Sequence, residues 1–380
     1  MKTIQVTERY PPAVGGVETH VFHLSQELRK LGVDVRVLTT DLYSTTPLVR
    51  LEPGAKSEDE AFVTRLRGYQ TIPFLPQGLG IIAPGMLGHL RDASLVHVHG
   101  YGHFPTYLAR FCNARGLPVI ATTHSDAGRP SVRKTAFDAI VPQATIKAAK
   151  KIIAISNHEK QVLLRRGILQ DRIVVIPNGI DLDEITPGPF TVKKSGKILM
   201  FAGRIDIDQK GLDILLEAFA KVAKTHPEIK LVFTGPDWNN SIKLLEELAA
   251  KLGVKDKVQF NGFLKRSDYL ESLRSSDIFI LPSRFEPFGI VLLEAMAAGV
   301  PVIASNAGAV PEILEEGKLG LIFENGNIDS LAAKVENVLA NEKDAQKRAN
   351  EARESLSRYS WQKIAEETLQ VYMEVLAKSQ

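Results

Sequence analysis

The chain has 380 residues, a mass of 41.8 kDa and a formal net charge of +3 at pH 7, and this length predicts two or three domains. Hydrophobic residues make up 44% and charged residues 24% of the chain, which excludes a disordered or fibrous protein, and the small positive excess gives no reason to expect a nucleic-acid partner. The single cysteine, Cys112, excludes an internal disulfide and a multi-cysteine metal site, and it favours a reducing compartment.

Short β-branched runs bounded by turn residues alternate with longer amphipathic stretches along the whole chain. Most of the short runs are continuously apolar, as expected of strands buried on both faces. The predicted strands are, in chain order, Thr3–Val6, Val33–Thr39, Leu95–Val98, Pro118–Thr123, Lys151–Ile155, Arg172–Ile176, Lys197–Phe201, Ile229–Thr234, Lys257–Phe260, Asp277–Leu281, Val300–Ala304 and Leu319–Phe323. Helical patterns between them include Val17–Leu31, Leu212–Lys224, Ile242–Leu252 and Ile328–Leu339. This alternation predicts two α/β domains, each with a doubly wound parallel sheet.

Three other segments shape the predicted organisation. Residues Pro177–Gly196 are dense in Pro, Gly, Asn and Asp, which predicts a boundary between the two domains. The segment Asp41–Gly68 is charged and lacks a clear period, so it is interpreted as a long loop or hairpin region. The end of the chain predicts an amphipathic helix, with these apolar residues on one side: Trp361, Ile364, Leu369, Tyr372 and Leu376.

Paired glycines follow the first predicted strand. Gly15 and Gly16 stand in a turn before a helix, where the backbone can approach a ligand closely and the helix start offers amide groups to an anion. An ordinary flexible turn would explain the pair equally well. No G-x-G-x-x-G fingerprint follows the first strand of either series.

Two cations follow the strand Lys197–Phe201. Arg204 and Lys210 are six residues apart around a glycine-bearing turn, so both could face a diphosphate, although a solvated charged loop is the alternative. Asp206 and Asp208 suggest a second idea, a divalent cation held by paired aspartates. Their cationic neighbours argue against it, and no metal is expected there.

The most informative stretch follows the strand that ends at residue 281. Glu286 lies in the loop after this buried strand, and Phe288, Gly289 and Ile290 open the next helix with unpaired amides and the positive end of the helix dipole. Glu294, about one turn inside that helix, can still reach a ligand held there; an ordinary first-turn acid is the alternative. A carboxylate that can accept two hydroxyls, beside amides that can hold a phosphate, predicts a nucleotide-sugar site.

Histidines end two of the strands in the first half. His124 ends the fourth predicted strand, at the carboxyl edge where ligands of open α/β sheets bind, although a structural role is the common explanation for one histidine. His97 and His99 would share one face of a strand, so metal ligation is conceivable. No carboxylate or cysteine partner is evident, and we predict no metal site. Ser156 and Glu159 have the spacing of a capping box.

Leader and membrane-spanning segments are not expected. Glu8 and Arg9 interrupt the apolar start of the chain, which excludes a signal peptide from this start. The longest apolar run, around Gly289–Ala304, is broken by Glu294 and Pro301. These features predict a cytoplasmic protein. The basic residues Arg133, Lys134, Lys147, Lys150 and Lys151 leave open a peripheral membrane contact, with a solvated helix face as the alternative.

The order of these motifs resembles glycosyltransferase family 4. The residues that carry the resemblance are the Gly15-Gly16 turn, His124, Arg204 with Lys210, and the block Glu286-Pro-Phe-Gly-Ile-Val-Leu-Leu-Glu294, and together they cover nearly the whole chain. The resemblance implies a GT-B fold, in which two Rossmann-like doubly wound domains face a central cleft and the C-terminal helix crosses back to the N-terminal domain. The domains would be residues 1–177 with 361–380, and residues 178–360.

The family also implies an activity and its partners. It implies transfer of a hexose from GDP-mannose, UDP-glucose or UDP-N-acetylglucosamine to a glycan, a lipid-linked sugar or a small molecule, with retention of configuration and without a cofactor or a bound metal. The acceptor would attack on the face that the diphosphate leaves, and the departing phosphate would take the proton. A covalent intermediate on Glu286 is the alternative.

The resemblance assigns roles residue by residue. Four groups would face the transferred sugar and the departing diphosphate: Glu286 at the hexose hydroxyls, His124 beside the sugar, and Arg204 and Lys210 at the diphosphate. Six others would bind the donor: the amide of Gly16 at the diphosphate, the amides of Phe288, Gly289 and Ile290 at the phosphates or sugar, Glu294 at the ribose, and the backbone near Leu264 at the base. A nucleotide-sugar 2-epimerase and a non-catalytic sugar-nucleotide sensor are the competing interpretations.

Overall fold

The computed structural model describes residues 1–45, 48–52, 60–70, 81–100, 103–124, 147–185 and 196–378, which form two compact units. Unit 1 comprises Met1–Gly179 and Trp361–Gln380, and unit 2 comprises Ile180–Ser360. Part of the predicted linker, residues 186–195, and two of the predicted basic residues, Arg133 and Lys134, lie outside the described residues.

Unit 1 contains a seven-stranded parallel sheet in the order β11-β10-β9-β8-β1-β2-β5. The strands of this unit are β1 (Lys2–Val6), β2 (Asp34–Thr40), β3 (Leu42–Thr45), β4 (Leu48–Arg50), β5 (Val63–Leu66), β6 (Tyr69–Gln70), β7 (Ile81–Ile82), β8 (Leu95–His99), β9 (Val119–Thr122), β10 (Lys151–Ala154) and β11 (Ile173–Val175). Four α-helices of this unit lie within the described residues: α1 (Gly16–Lys30), α2 (His103–Ala114), α3 (Asn157–Arg165) and the C-terminal helix (Trp361–Ala377). All six strands predicted in the first half are confirmed.

One strand of this sheet was missed. Within the described part of residues 41–68, β3 and β4 pair antiparallel, in keeping with the hairpin interpretation, and β5 pairs parallel with β2. The interpretation of the whole segment as loop or hairpin is therefore wrong for Val63–Leu66. This edge strand is half-buried at all four positions and has the sequence Val-Thr-Arg-Leu, so it lacks the continuous apolar run of a central strand.

The predicted C-terminal helix is confirmed and packs within unit 1. Its residues Trp361, Ile364 and Tyr372 are buried in one cluster with Leu24 and Leu28 of α1. At the surface, Lys151 pairs with a glutamate of the same helix, with Nζ 3.0 Å from Oε1 of residue 374. The helix thus belongs to the first unit although it lies at the end of the chain.

The Ser156 cap is confirmed in part. Ser156 Oγ accepts the amide hydrogen of Glu159 at 3.1 Å, as a capping box requires. The Glu159 carboxylate, however, accepts from the Ile155 amide at 2.7 Å and from the Thr123 hydroxyl at 2.6 Å, so it reaches one residue beyond the cap and ties α3 to the end of β9.

Unit 2 contains a six-stranded parallel sheet in the order β14-β13-β12-β15-β16-β17. Its strands are β12 (Ile198–Ala202), β13 (Lys230–Thr234), β14 (Val258–Phe260), β15 (Ile278–Leu281), β16 (Val302–Ser305) and β17 (Leu321–Phe323). Its helices are α4 (Ile207–Lys210), α5 (Leu212–Val222), α6 (Ser241–Lys251), α7 (Arg266–Arg274), α8 (Ile290–Ala297), α9 (Val310–Ile313), α10 (Ile328–Ala340) and α11 (Glu342–Glu354). All six strands predicted in the second half are confirmed.

Both sheets have a topological switch point. In each, the first strand lies inside the sheet, and successive strands are added first on one side and then on the other. The switch points are β1/β8 in unit 1 and β12/β15 in unit 2, and ligands of such sheets bind at the carboxyl ends of these strands. No helix in the described part of the chain is long and apolar enough to cross a membrane.

Candidate active site

Lys210 and Glu286 meet at the switch point of unit 2. Lys210 ends α4, after β12, and Glu286 lies in the loop after β15; the Lys210 ammonium is 2.7 Å from Glu286 Oε2. Their side chains are 14% and 8% exposed, so the ion pair is largely removed from water. Ser283 Oγ donates to the same Oε2 at 3.0 Å. Two residues predicted from separate motifs thus share one location.

The loop that carries Glu286 is packed against backbone on two sides. A Cβ on Gly308, at φ +57°, would stand 1.8 Å from the Glu286 carbonyl oxygen. A Cβ on Gly211, at φ +63°, would stand 2.3 Å from the Pro282 carbonyl oxygen. Both positions combine a left-handed backbone with a close approach that only glycine allows. This packing holds the Glu286 backbone in place.

Arg204 and the two nearby aspartates lie in the loop that leads into α4. The Arg204 guanidinium contacts the Gln209 side chain, lies 3.6 Å from Asp206 and stands 4.7 Å from the centre of the Trp238 ring. Asp206 caps α4 by accepting the Gln209 amide hydrogen at 3.1 Å, and Asp208 is exposed. Within the described residues, neither aspartate belongs to a group of three potential metal ligands.

The start of α8 presents free amides beside Glu286. Gly289 adopts a left-handed conformation at φ +96° and caps the helix, and Phe288 before it is buried. Within the described ranges, no backbone or side-chain acceptor takes the amide hydrogens of Phe288, Gly289 or Ile290. The positive end of the α8 dipole and these donors therefore face the same region as the Lys210–Glu286 pair.

Glu294 is held by two side chains of α7. Arg266 Nη1 lies 2.5 Å from one carboxylate oxygen, and the Tyr269 hydroxyl donates to the other at 2.7 Å. Arg266 also pairs with Glu184 at 2.7 Å. Burial, and then the negative charge of Glu294, raises the pKa of Tyr269 well above its usual value. Neither partner is predicted by a sequence motif, because Arg266 and Tyr269 look like the polar residues of any exposed helix face.

Leu264 lies in the loop between β14 and α7. It is half-buried, and its neighbour Phe263 is 61% exposed. The Gly235 amide donates to the Gly262 carbonyl oxygen at 2.8 Å, and a Cβ on Gly235 would stand 1.8 Å from the Gly203 carbonyl oxygen. The loops after β12, β13 and β14 are thereby packed together at one edge of the sheet.

In unit 1, Gly16 begins α1 after β1, as expected. A Cβ on Gly15 would stand 2.2 Å from Glu18 Oε2, so the glutamate carboxylate lies against this turn. Glu18 is buried, pairs with Arg9 at 2.6 Å, and has a pKa raised by burial. The helix start that the sequence assigns to a diphosphate therefore already holds an internal carboxylate.

His124 follows β9 with a left-handed backbone at φ +48° and begins a buried hydrogen-bond chain. Its Nε2 lies 3.0 Å from His99 Nδ1, and His99 Nε2 lies 2.5 Å from Gln5 Oε1. The Gln5 amide nitrogen donates to the Tyr372 hydroxyl oxygen at 2.7 Å, and His97 Nδ1 lies 2.7 Å from that oxygen. These hydrogen bonds therefore connect the ends of two strands to the C-terminal helix.

The direction of these hydrogen bonds determines the tautomers of His99 and His124. Because Gln5 Oε1 can only accept, His99 carries its proton on Nε2 and accepts at Nδ1 from the Nε2–H of His124. The lone pair of His124 is then on Nδ1. Burial lowers the pKa of His97, His99 and His124 well below the usual value, so all three imidazoles are neutral near pH 7.

The two histidines of β8 differ in their availability. His97 and His99 share one face, as predicted, with ring centres 4.1 Å apart. His97 uses both nitrogens, one toward Tyr372 and one 2.7 Å from Thr122 Oγ1, so it is not a candidate ligand. His20, which the sequence analysis did not single out, lies on α1 with its ring centre 4.5 Å from that of His124.

Comparison with known proteins identifies the family. The family model described as Glycosyltransferase Family 4 matches residues 14–184, and the model described as Glycosyl transferases group 1 matches residues 184–355. The glycogen synthase of Mycobacterium tuberculosis is 31% identical over 406 residues, which span 98% of this chain and 94% of that protein. The chain belongs to glycosyltransferase family 4. It is therefore an enzyme that uses nucleotide sugars, and the epimerase and sensor interpretations are not favoured.

Two further similarities fit this family 4 glycosyltransferase. The GDP-mannose:cellobiosyl-diphosphopolyprenol alpha-mannosyltransferase of Xanthomonas oryzae pv. oryzae is 26% identical, over 99% of this chain and 97% of that protein. The structure of sucrose-phosphate synthase from Thermosynechococcus elongatus superposes with a TM-score of 0.81 at 21% identity and covers 100% of both chains. The expected GT-B fold class is confirmed.

Proposed function

We propose that this enzyme transfers a hexosyl group from a nucleoside diphosphate sugar to a hydroxyl acceptor with retention of anomeric configuration. The observation that supports it most strongly is the buried Lys210–Glu286 pair beside the unpaired amides of Gly289 and Ile290. An ammonium group and a helix start attract a diphosphate, and a carboxylate next to them accepts hydroxyl hydrogens.

Lys210 and Arg204 are assigned to the charge that develops on the departing diphosphate. The Lys210 ammonium has three hydrogens, so it can keep its bond to Glu286 and still donate to a phosphate oxygen. Preorganised cations in a partly buried site stabilise such charge far better than they would in water. Asp206 is engaged as a helix cap, which supports a mechanism without a divalent cation.

Glu286 is assigned to the hexose. Both of its described donors, Lys210 and Ser283, bond to Oε2, which leaves Oε1 for sugar hydroxyls. The two bonds to Oε2 hold the carboxylate in one orientation. A carboxylate anchored in this way suits hydroxyl binding, and we therefore favour attack on the face that the diphosphate leaves over a covalent intermediate on Glu286.

Glu294 is assigned to the ribose. Each of its oxygens already accepts one hydrogen bond, from Arg266 or Tyr269, and retains a second lone pair for a hydroxyl. The two partners fix the carboxylate before the donor arrives, which lowers the entropy cost of binding. The amides of Phe288 to Ile290 are assigned to the phosphates, and the backbone near Leu264 to the base.

The donor sugar and the acceptor are proposed by class. GDP-mannose, UDP-glucose and UDP-N-acetylglucosamine are the candidate donors, and a glycan, a lipid-linked sugar or a small molecule is the acceptor. The name of the Xanthomonas relative contains GDP-mannose and a polyprenol-linked acceptor, which supports this range. His124 is assigned to the sugar and the amide of Gly16 to the diphosphate on the family resemblance.

A ligand panel followed by one variant tests this proposal. The stabilities of the protein with GDP-mannose, UDP-glucose, UDP-N-acetylglucosamine and the free diphosphates are compared, since a ligand at 100 times its Kd stabilises by about 2.7 kcal/mol. With the donor found, Glu286→Gln should retain diphosphate affinity within tenfold but lose transfer. A diphosphate that binds more than tenfold worse would refute the assignment of Glu286, and a product of inverted anomeric configuration would refute retention.

A further inference from the structure

Three imidazoles converge at the carboxyl edge of the unit 1 sheet. His20 comes from α1, His99 from the end of β8 and His124 from the loop after β9. One nitrogen from each lies within 4.8 Å of the others, and this is the one such group of histidine, cysteine or acidic side chains in the described ranges. His20 and His99 are 3% and 2% exposed, and His124 is half-buried.

The position of His99 resembles that of a metal ligand. Its Nε2–H is held by Gln5 Oε1 at 2.5 Å, which turns Nδ1 toward the other two rings. Ligating histidines usually donate their second N–H to an oxygen in this way, and the bond fixes the tautomer and the ring plane. Gln5 is itself held by Tyr372 of the C-terminal helix.

The spacing of the nitrogens also fits an ion. His99 Nδ1 and His124 Nε2 are 3.0 Å apart. Two imidazole nitrogens on one tetrahedral ion, each at about 2.0–2.1 Å, are separated by about 3.3–3.4 Å. The two rings therefore need to move apart by only a few tenths of an ångström to exchange their shared proton for a metal.

His20 supplies the third ligand. One of its two ring nitrogens lies within 4.8 Å of the nitrogens that His99 and His124 offer. The ring is fully buried: Asn178 interacts with it and raises its pKa, whereas Nδ1 makes no hydrogen bond of normal geometry in the described part of the chain. Burial nevertheless lowers the pKa of His20, to about 3, so the ring is in the neutral form that a metal requires.

We propose that His20, His99 and His124 bind one transition-metal ion of the Zn²⁺ class and leave its fourth position open. An all-imidazole set suits Zn²⁺, Co²⁺, Ni²⁺ or Cu²⁺ and does not suit Mg²⁺ or Ca²⁺. All three ligands belong to unit 1, whereas the cations assigned to the diphosphate, Arg204 and Lys210, belong to unit 2. A bound metal occupies Nε2 of His124 and changes its tautomer, so the ion inhibits transfer; only this last consequence rests on the proposed function.

Metal binding is tested on the full chain after treatment with EDTA and desalting. Co²⁺ titration should develop the visible absorption bands of a tetrahedral site, with one ion per chain, and calorimetry should give the same stoichiometry for Zn²⁺. Gln5→Leu should weaken Zn²⁺ binding about 10- to 100-fold, as for other residues that orient a ligand. His20→Ala should weaken it further, because a ligand itself is lost.

A surface histidine provides the control. His226 in unit 2 lies 2.8 Å from Glu336 and 3.6 Å from Glu228, so it is an alternative weak site for a metal. His226→Ala should leave the Co²⁺ spectrum unchanged. The proposal is overturned if His20→Ala, with a normal circular dichroism spectrum, binds like the wild type, if His226→Ala removes binding, or if no tetrahedral spectrum develops. Stabilisation of the protein by nucleotide sugars is measured separately, so a negative result for metal binding leaves the proposed transferase function unaffected.

Discussion

The two units share one architecture and differ in the chemistry at its switch point. In unit 2 the carboxyl edge of the sheet carries ion pairs, Lys210 with Glu286 and Arg266 with Glu294. In unit 1 the same edge carries one ion pair, Arg9 with Glu18, together with neutral imidazoles joined through Gln5. Strand order therefore determines where a ligand can bind, and the side chains that follow the strands determine which ligand it is.

The difference also concerns what burial does to charge. In unit 2 the buried carboxylates of Glu286 and Glu294 each have a cation within hydrogen-bond distance, at 2.7 Å and 2.5 Å. In unit 1 no such partner accompanies His97, His99 and His124 in the described residues, and desolvation lowers the pKa of these imidazoles. The charged edge of unit 2 suits the proposed diphosphate, and the edge of unit 1 adds neutral hydrogen-bonding groups to its one ion pair.

The largest expected effect of this difference is the loss of unit 1 in mild acid. The folded pKa of His20 is about 3, and those of His97, His99 and His124 are also lowered, whereas unfolded histidines titrate near 6.5. Between these values the unfolded chain binds more protons, so the stability of unit 1 is retained above about pH 6.5 and falls as the pH decreases toward 3. Glu8, with a pKa raised to about 7, and Glu18 oppose this trend with fewer groups.

The two tryptophans allow the units to be followed separately. Trp361 is buried in unit 1, and Trp238 lies in unit 2 beside Arg204. In Trp238→Phe, the emission of Trp361 reports unit 1 alone, and its midpoint in an acid titration should lie at a higher pH than the midpoint of the far-ultraviolet signal. If the Trp361 emission and the far-ultraviolet signal shared one midpoint below pH 4, unit 1 would not be the more acid-sensitive unit.

The next largest effect is expected from Lys210. Lys210→Ala removes the cation that we propose for the departing diphosphate and leaves Glu286 buried without its ion pair. The turnover of bound donor should fall about 10²–10³-fold, as for other groups that stabilise charge in a transition state. Lys243→Ala, on the exposed face of α6, is the matched control. Weaker donor binding with unchanged turnover would place Lys210 in binding alone.

Glu294→Ala should act mainly on donor affinity. The loss of charge-assisted hydrogen bonds to the ribose should cost roughly 1.5–3 kcal/mol, or about 10- to 150-fold in Kd, measured by calorimetry. Glu246→Ala, exposed on α6, is the control. Tyr269→Phe should have a smaller effect, about 0.5–1.5 kcal/mol, and none in the Glu294→Ala background, since it acts through that carboxylate. Additive effects would show that Tyr269 acts elsewhere.

The strands of the two sheets, apart from β5, could be predicted from the sequence because each is marked by a short apolar run of neighbouring residues. The twelve predicted runs, most of them continuously apolar, correspond to twelve strands of the two parallel sheets. The missed strand β5 is an edge strand without such a run, so its pairing with β2 depends on tertiary context. Terminal strands of this kind carry too little buried surface to be read from composition alone.

Residues of the candidate site could be predicted only where they belong to a recognisable sequence motif. Glu286, Lys210 and Glu294 belong to spaced motifs, whereas their partners Ser283, Arg266 and Tyr269 do not. In unit 1, Gln5 and Tyr372 meet across 367 positions. Nothing local distinguishes a strand glutamine or a helical tyrosine that will join a buried chain, because the contact exists only after the sheet and the C-terminal helix have packed.

The smallest expected effect is that of chelation on transfer. In the proposed mechanism Arg204, Lys210 and the start of α8 supply the positive potential for the diphosphate, and Asp206 caps α4. Excess EDTA should therefore not lower the rate of transfer by more than about twofold, which corresponds to less than about 0.5 kcal/mol in the barrier. A rise in rate on chelation, reversed by Zn²⁺, would locate the effect of metal in the imidazoles of unit 1. Activity that vanishes with EDTA and returns only with Mg²⁺ or Mn²⁺ would instead show that the charges of unit 2 do not suffice for transfer. Unit 2 would then differ from unit 1 by a required metal ion.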